Sequence, residues 1–154
     1  MKNKDFQEAV HVAMEALTAV SDMTSIENAP SVRKANEELH SVGLGAMNLH
    51  GYLAKEGIMY ESEEAKDFVR TFFMMMNFYS IEKSMLIAKE RGVTFKDFER
   101  SDYATGEYFT RYIEEDFSPR TEKVRSLFKG MHIPTREDWK NLAEQVKRYG
   151  MYHA

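Results

Sequence analysis

The segment from Ser62 to Gly92 constrains the fold of this chain more than any other part of the sequence. Ser62 is typical of a helix N-cap and Gly92 of a helix C-terminus, so the sequence predicts one helix from Ser62 to Arg91. Its middle, Phe68 to Tyr79, is apolar around most of the helix circumference rather than along one stripe. Because such a helix needs protein on several sides, we expect it to lie at the centre of a helical assembly.

Helical periodicity continues through the rest of the chain. Asp5 and Glu8 have the spacing of a capping box and begin a helix that we expect to run to about Ser21. Its expected apolar stripe comprises Phe6, Ala9, Val10, Ala13, Met14, Leu17 and Val20. Further helices are predicted from Pro30 to the glycines of 43–45, over 47–55 and 121–129, and from Pro134 onwards. Thr135 and Asp138 are the expected capping pair of the last helix, whose apolar face comprises Trp139, Leu142, Ala143, Val146 and Tyr149.

Residues Val42 to Gly45 interrupt the helical pattern with two glycines in three residues. Glycine weakens a helix and allows close backbone approach, so this segment predicts a short buried strand or turn. Short aromatic-rich segments are expected over 95–117, before a break at Ser118 and Pro119. The expected fold is therefore mainly α-helical, a single segment over residues 1–154 with at most one or two short strands.

The composition excludes several classes of function. The chain contains no cysteine, which removes disulfides, thiolate nucleophiles, thiolate metal sites and dithiol redox chemistry. Its 21 basic residues are scattered among 25 acidic ones, so nucleic-acid binding is not expected. The longest apolar stretch, Phe68 to Ile81, is too short and too polar to cross a membrane. The N-terminal residues lack the apolar core of a signal peptide, and the expected location is the cytoplasm.

Two Glu-x-x-His spacings, Glu8 with His11 and Glu37 with His40, are the strongest candidates for a metal site. Di-iron helical bundles use two such motifs together with two further glutamates. At about 100° per residue, however, Glu8 and His11 project away from the apolar stripe of their helix, and Glu37 lies opposite the apolar residues of the next helix. We therefore interpret both motifs as solvated faces and expect no metal. No motif in the chain predicts a cofactor or a catalytic residue.

The glycine-containing run Gly43-Leu44-Gly45-Ala46-Met47-Asn48 resembles a dinucleotide-binding loop but has Asn48 where the third glycine belongs. We interpret its glycines as packing residues of a buried turn. His50 is expected to be packed or at the surface, and His132 and His153 have no partner at ligand spacing.

Methionine and tyrosine clusters are interpreted as packing residues. The run Met74 to Met76 could form an adaptable binding groove, but core packing is the preferred interpretation. Tyr103, Tyr108 and Tyr112 could suggest electron or radical transfer, but we expect packed rings with solvated hydroxyls.

The exact order of the residues indicates more about the function of the chain than the helical periodicity does. It closely resembles the large subunit of class Ib ribonucleotide reductases, at the point where that chain re-enters a ten-stranded α/β barrel. The resemblance spans nearly the whole chain and rests on the runs 31–57, 60–65, 72–80, 87–92, 95–99, 133–139 and 149–154. The longest of these begins at Ser31 and ends at Gly57.

The resemblance implies a supporting role within that enzyme. The radical-bearing cysteine, its asparagine and glutamate neighbours and the reducing cysteines of the family lie upstream of the matched stretch, and the substrate-phosphate loop follows the position of Ala154. Met1 matches an internal position of the family. No catalytic residue of the family is therefore carried onto this chain, which is expected to be an internal piece of a longer enzyme and inactive alone.

Besides the less favoured di-iron site, which a metal analysis of the purified chain would test, two functions are open at this point. In the first, the chain supplies a glycine-bearing barrel strand near Val42 to Gly45 and the helices outside it. Its partners would be the remaining large-subunit segments and, through them, the small radical-generating subunit, in the synthesis of deoxyribonucleotides. In the second, the chain is an independent helical interaction module whose partner covers the surface of Phe68 to Tyr79.

Overall fold

The helix predicted from Ser62 is the element against which most of the others pack. The computed structural model describes residues 3–154, and in it α1 spans Asn3–Met23, α2 Pro30–Leu39, α3 Leu49–Lys55 and α4 Glu63–Arg91. The remaining α-helices are α5 Asp102–Thr105, α6 Thr110–Glu114, α7 Glu122–Leu127 and α8 Arg136–Tyr149. Short 3-10 turns at Phe98–Arg100 and Glu107–Phe109 flank α5. None of these described residues forms a β-strand.

Helix α4 has the bounds that the sequence predicts. Ser62 accepts a hydrogen bond from the amide N–H of Ala65, and Gly92 ends the helix in the left-handed conformation. Helices α1, α7 and α8 contact α4 on different sides, which explains its all-round apolarity. Residues of Phe68 to Tyr79, including Met74 and Met75, are buried in the core, which confirms the packing interpretation of the methionine run.

That burial is also a correction to the interaction-module hypothesis. The surface of Phe68 to Tyr79 on which it depended is covered largely by other helices of the same chain. Phe73 and Met76 are only half-buried and line an open cavity.

Helix α1 differs from its expected form at the start and along its stripe. Asp5 lies inside the helix rather than at its N-cap. The buried positions are Phe6, Val10, Met14, Thr18 and Ser21, whereas Val20 is 60% exposed. A spacing of four residues advances about 40° around the helix at each step, so the contact stripe turns away from Val20. Thr18 and Ser21 continue it because their hydroxyls have hydrogen-bond partners in the interior.

The capping pair and the apolar face predicted for the last helix are both confirmed. Thr135 accepts a hydrogen bond from the amide N–H of Asp138, and the Asp138 carboxylate accepts one from the amide N–H of Thr135, which completes a capping box. Trp139, Leu142 and Val146 are buried on one face of α8. This helix and α4 enclose the aromatic part of the core.

The strand expected at Val42 to Gly45 does not form in the described chain. Residues 40–46 have no regular secondary structure, because no neighbouring strand is present there to complete a ladder of hydrogen bonds. The glycines are not packing residues either, since a Cβ atom built on Gly43 or Gly45 meets nothing within 4 Å. Both glycines are exposed, which corrects the expectation of a tightly packed turn.

Candidate functional site

A buried polar cluster surrounds His153, just beyond α8. The His153 imidazole is 4% exposed, with its Nε2 atom 2.9 Å from Thr18 Oγ1 and its Nδ1 atom 2.9 Å from Ser84 Oγ. Helix α1 positions Thr18 and α4 positions Ser84. The C-terminal segment, defined as residues 150–154, is thereby fixed to both helices.

The hydrogen bonds around His153 determine its tautomer. The Thr18 hydroxyl donates to the Met14 carbonyl at 2.6 Å, so at His153 it accepts the Nε2 proton. Nδ1 is then an acceptor for the Ser84 hydroxyl, which in turn accepts from the His153 amide N–H at 3.0 Å. Every polar group of the neutral imidazole is satisfied. Burial lowers the pKa of His153 to about 4, with further contributions from the charges of His40 and Arg91.

Tyr152 continues this cluster toward the surface. Arg91 lies 4.5 Å over the Tyr152 ring and donates to its hydroxyl at 2.7 Å, and that hydroxyl donates to Asp22 at 2.9 Å. His40 also stacks on the Tyr152 ring, with 4.3 Å between the centroids. Burial would raise the pKa of Asp22, but hydrogen bonds from Arg91 and Tyr152 hold it below its usual value. The arrangement fixes the chain and has the geometry of a structural junction.

A cavity of about 430 Å³ with both polar and apolar lining residues adjoins the cluster. It lies between residues 42–44, α4 and the C-terminal segment, and its lining includes Val42, Leu44, Phe73, Met76, Ile81 and Ala154. We call this cavity the Leu44 groove. Its size is within the range of ligand pockets, but it is open and faces the irregular segment 40–46.

One wall of the Leu44 groove is a hydrogen-bonded tyrosine cluster. The Asn77 amide nitrogen donates to the hydroxyls of Tyr108 at 2.9 Å and Tyr112 at 3.0 Å, and the Tyr108 hydroxyl donates back to Asn77 Oδ1. Burial raises the pKa of Tyr112 to about 12. The expectation of packed rings is confirmed, with Tyr103 against Tyr108 at 4.4 Å between centroids. The hydroxyls of Tyr108 and Tyr112 also have a protein partner, Asn77, which the sequence reading did not foresee.

The structure separates the residues of the two Glu-x-x-His spacings. Glu8 and Glu37 are exposed, as the helical geometry predicts. His11 is an exception to the solvated face, since its Nε2 atom lies 2.9 Å from a Glu82 carboxylate oxygen on α4. His40 ends α2 in the left-handed conformation and stacks on Tyr152. Over residues 3–154, no three histidine or carboxylate side chains are grouped so that they could hold a metal ion.

The other candidate residues lie apart from one another. Asn48 precedes α3 in the left-handed conformation, and His50 packs edge-on against Tyr60. The His132 Nε2 atom lies 3.1 Å from an Asp138 carboxylate oxygen. The sequence analysis did not identify His153 as a buried junction, because its partners Thr18 and Ser84 are distant in the sequence. The available signal was Thr18 and Ser84, which interrupt otherwise apolar helix faces.

Comparison with known proteins matches the whole chain to one family. The sequence model described as "Ribonucleotide reductase, barrel domain" covers residues 1–154. The chain is 59% identical over 154 residues to the ribonucleoside-diphosphate reductase subunit alpha of Bacillus subtilis (strain 168). That alignment covers 100% of this chain and 22% of the relative.

Two further relatives give the same result. The ribonucleoside-diphosphate reductase NrdEB subunit alpha of Bacillus subtilis (strain 168) is 51% identical over 154 residues, which are 100% of this chain and 14% of the relative. The subunit alpha of Mycoplasma pneumoniae (strain ATCC 29342 / M129 / Subtype 1) is 45% identical over 152 residues, 96% of this chain and 21% of the relative. The chain therefore spans about a fifth or less of the length of these curated relatives.

None of the helices among the described residues combines the length and the apolar character that a membrane span requires.

Proposed function

Because this chain belongs to the ribonucleotide reductase family and matches its barrel domain, we propose that it serves as a scaffold segment of a ribonucleoside-diphosphate reductase large subunit. The observation that carries the proposal is the family match over residues 1–154, together with 59% identity to a Bacillus subtilis subunit alpha. The reaction of the whole enzyme would convert ribonucleoside diphosphates to deoxyribonucleoside diphosphates for DNA synthesis. We assign the parent enzyme to class Ib on the sequence runs described above, which include Ser31 to Gly57.

The proposed role is to hold the barrel together rather than to carry out the reduction. The chain contains no cysteine, so it cannot supply the thiols that a dithiol-dependent reduction oxidises. Its constrained polar cluster at His153 is hydrogen-bonded internally through Thr18 and Ser84. These contacts support a structural role for the cluster, with the catalytic groups contributed by other segments of the large subunit.

The proposed place in the barrel is specific. Residues 42–45 would form one strand, with α4 packed on one of its faces. Support comes from Val42 and Leu44, which pack against the core, while Gly43 and Gly45 are exposed. The partners would be the other large-subunit segments and, through them, the small radical-generating subunit, in the cytoplasm.

Assembly with the missing parts tests the scaffold role. The purified chain is mixed with two fragments that carry the preceding and following parts of the Bacillus subtilis subunit alpha, and the mass of the mixture is measured by light scattering. We expect one complex of the summed mass with slowed amide exchange in all three parts. Persistence of three separate species would contradict the proposal.

A further inference from the structure

Four aromatic rings form a continuous row between two cavities of the described chain. Tyr103 lies against Tyr108 with 4.4 Å between ring centroids, and Tyr108 lies 5.9 Å from Tyr112. Tyr112 stacks on Trp139, with 4.1 Å between centroids and 15° between the ring planes. The three tyrosines line the Leu44 groove, and Tyr112 together with Trp139 lines a second cavity of about 420 Å³ at the start of α8. We call these four rings the aromatic row.

Contact between successive rings is the geometry that electron transfer requires. Electron tunnelling slows exponentially with distance, so rings in van der Waals contact exchange an electron far faster than separated rings do. Tryptophan and tyrosine are also the side chains that lose a single electron most readily in a chain without cysteine. The packing that the aromatic row contributes to the core therefore also allows an electron to pass along it.

Trp139 is the end of the aromatic row at which an oxidised ring is least stable. Its side chain is 1% exposed, and its buried indole N–H has no hydrogen-bond partner among the described residues. A buried polar group without a partner is uncommon, and a redox role is one of the reasons for which it occurs. An indole that loses an electron here has no acceptor for its proton and remains a cation in the core, where an unpaired charge is costly. Oxidised Trp139 therefore tends to regain an electron from its neighbour.

The tyrosine end of the aromatic row can release a proton together with an electron. The Tyr108 hydroxyl donates to Asn77 Oδ1 at 3.1 Å. Burial raises the pKa of Tyr103, and a hydrogen bond with the Tyr108 hydroxyl opposes that effect. These phenols are therefore neutral before oxidation, and they line the open Leu44 groove. A phenol that loses an electron becomes a strong acid, so its proton passes to water in the groove and the ring that remains is a neutral radical.

We propose that the aromatic row is an electron relay, which passes oxidation of Trp139 through Tyr112 to Tyr108 and Tyr103 at the Leu44 groove. The oxidant is a one-electron oxidising radical, which takes an electron from Trp139 across the cavity at the start of α8. One electron then moves from a tyrosine to the Trp139 radical cation and restores the neutral indole. The tyrosine becomes a phenoxyl radical, and its hydroxyl proton goes to water in the groove. The relay moves an oxidised site out of the core, a function that goes beyond the scaffold role and does not depend on it.

Pulse radiolysis of the purified chain tests the relay, because Trp139 is its only tryptophan. Azide radicals are used as the oxidant, since they oxidise indole in preference to phenol, and the absorbances of the tryptophan and phenoxyl radicals are followed separately. We expect the phenoxyl signal to grow as the tryptophan signal decays, with a rate constant that does not change with protein concentration. A tryptophan radical that decays without forming phenoxyl, or only by reaction with a second molecule, would overturn the inference.

Two tyrosines of the core provide the variant and its matched control. Tyr112→Phe keeps the ring but removes the oxidisable phenol that stacks on Trp139. Growth of the phenoxyl signal should then slow by at least about tenfold, which corresponds to about 1.4 kcal/mol of activation free energy. Tyr79→Phe should leave the rate unchanged, because Tyr79 is 2% exposed but contacts Phe78, which in turn contacts Trp139. With folding of both variants checked by near-UV circular dichroism, equal rates would contradict the relay.

A change of solvent tests the loss of the proton. In D₂O the phenoxyl signal should grow more slowly than in H₂O, because the transferred hydroxyl proton is replaced by a deuteron. Equal rates in the two solvents would contradict the release of the proton to the Leu44 groove.

Discussion

His153 Nε2 lies 2.9 Å from Thr18 Oγ1, although 135 positions separate the two residues in the sequence. This contact joins the last residues of the chain to α1, while the Ser84 contact joins them to α4. Both hydrogen bonds are satisfied by a neutral imidazole. The pH dependence of folding should therefore report directly on this junction.

Acidification should destabilise the chain through His153. Its pKa falls from the usual 6.5 to about 4 in the folded chain, chiefly because of burial. As the pH falls, the unfolded state therefore binds a proton at His153 before the folded state does. The contribution of neutral His153 to the free energy of unfolding is fully present above pH 6.5 and is lost as the pH falls toward 4. The expected loss is about 3 kcal/mol across this range, measured by urea unfolding at several pH values.

Substitutions at the two histidines identify the source of that dependence. His153→Gln should flatten the curve between pH 6.5 and 4, at some cost in stability at neutral pH. His40 also has a lowered pKa, first because of burial, with opposing effects of Asp22 and Arg91. His40→Asn is the second test, because asparagine tolerates the left-handed conformation found there. It should reduce the pH dependence less than His153→Gln, because His40 is a smaller cause of the lowered pKa of His153 than burial is. A curve that stays unchanged in His153→Gln would show that the dependence arises elsewhere.

Asp67 should be among the most destabilising positions to neutralise. Its buried carboxylate accepts hydrogen bonds from the amide N–H groups of Arg120 and Thr121 and from the Thr121 hydroxyl. In Asp67→Asn, one of the two acceptor oxygens is replaced by an N–H₂ group, which cannot accept a hydrogen bond, and the remaining oxygen is a weaker, uncharged acceptor. We therefore expect a loss of about 2–3 kcal/mol in the free energy of unfolding. Glu144→Gln, at an exposed position on α8, is the control and should change stability by less than about 0.5 kcal/mol. Equal effects of the two substitutions would contradict the assigned role of Asp67.

Gly150 should not tolerate a side chain. Its φ of 77° and ψ of −170° lie in a region that is essentially restricted to glycine, and an added Cβ would lie 2.2 Å from Thr94 Cγ2. Gly150→Ala should cost roughly 2–4 kcal/mol and loosen the C-terminal segment. Gly43→Ala is the comparison, because its Cβ meets nothing within 4 Å, and in the isolated chain it should be nearly neutral. Thermal unfolding of both variants checks the prediction, which fails if Gly150→Ala is as stable as Gly43→Ala.

Local signals in the sequence predicted the helices well. Ser62 and Gly92 fixed both ends of α4, and Thr135 with Asp138 fixed the start of α8, because caps depend on residues close in sequence. The two glycines of 42–45 predicted a strand or turn, but a strand needs neighbouring strands, and none forms in the described residues, so this segment is irregular. The His153 junction depends on contacts across 69 and 135 positions, which periodicity cannot reveal.

Enzyme activity of a chimera with the Bacillus subtilis subunit alpha tests the central claim most directly. The 154 residues of this chain replace the matching stretch of a relative to which they are 59% identical, and the product is assayed with its small subunit for formation of deoxyribonucleoside diphosphate. The account predicts that the chimera forms product at a rate within about tenfold of the parent enzyme and that the isolated chain forms none, since every catalytic thiol comes from the parent. A correctly folded chimera without activity, or product from the isolated chain, would contradict it.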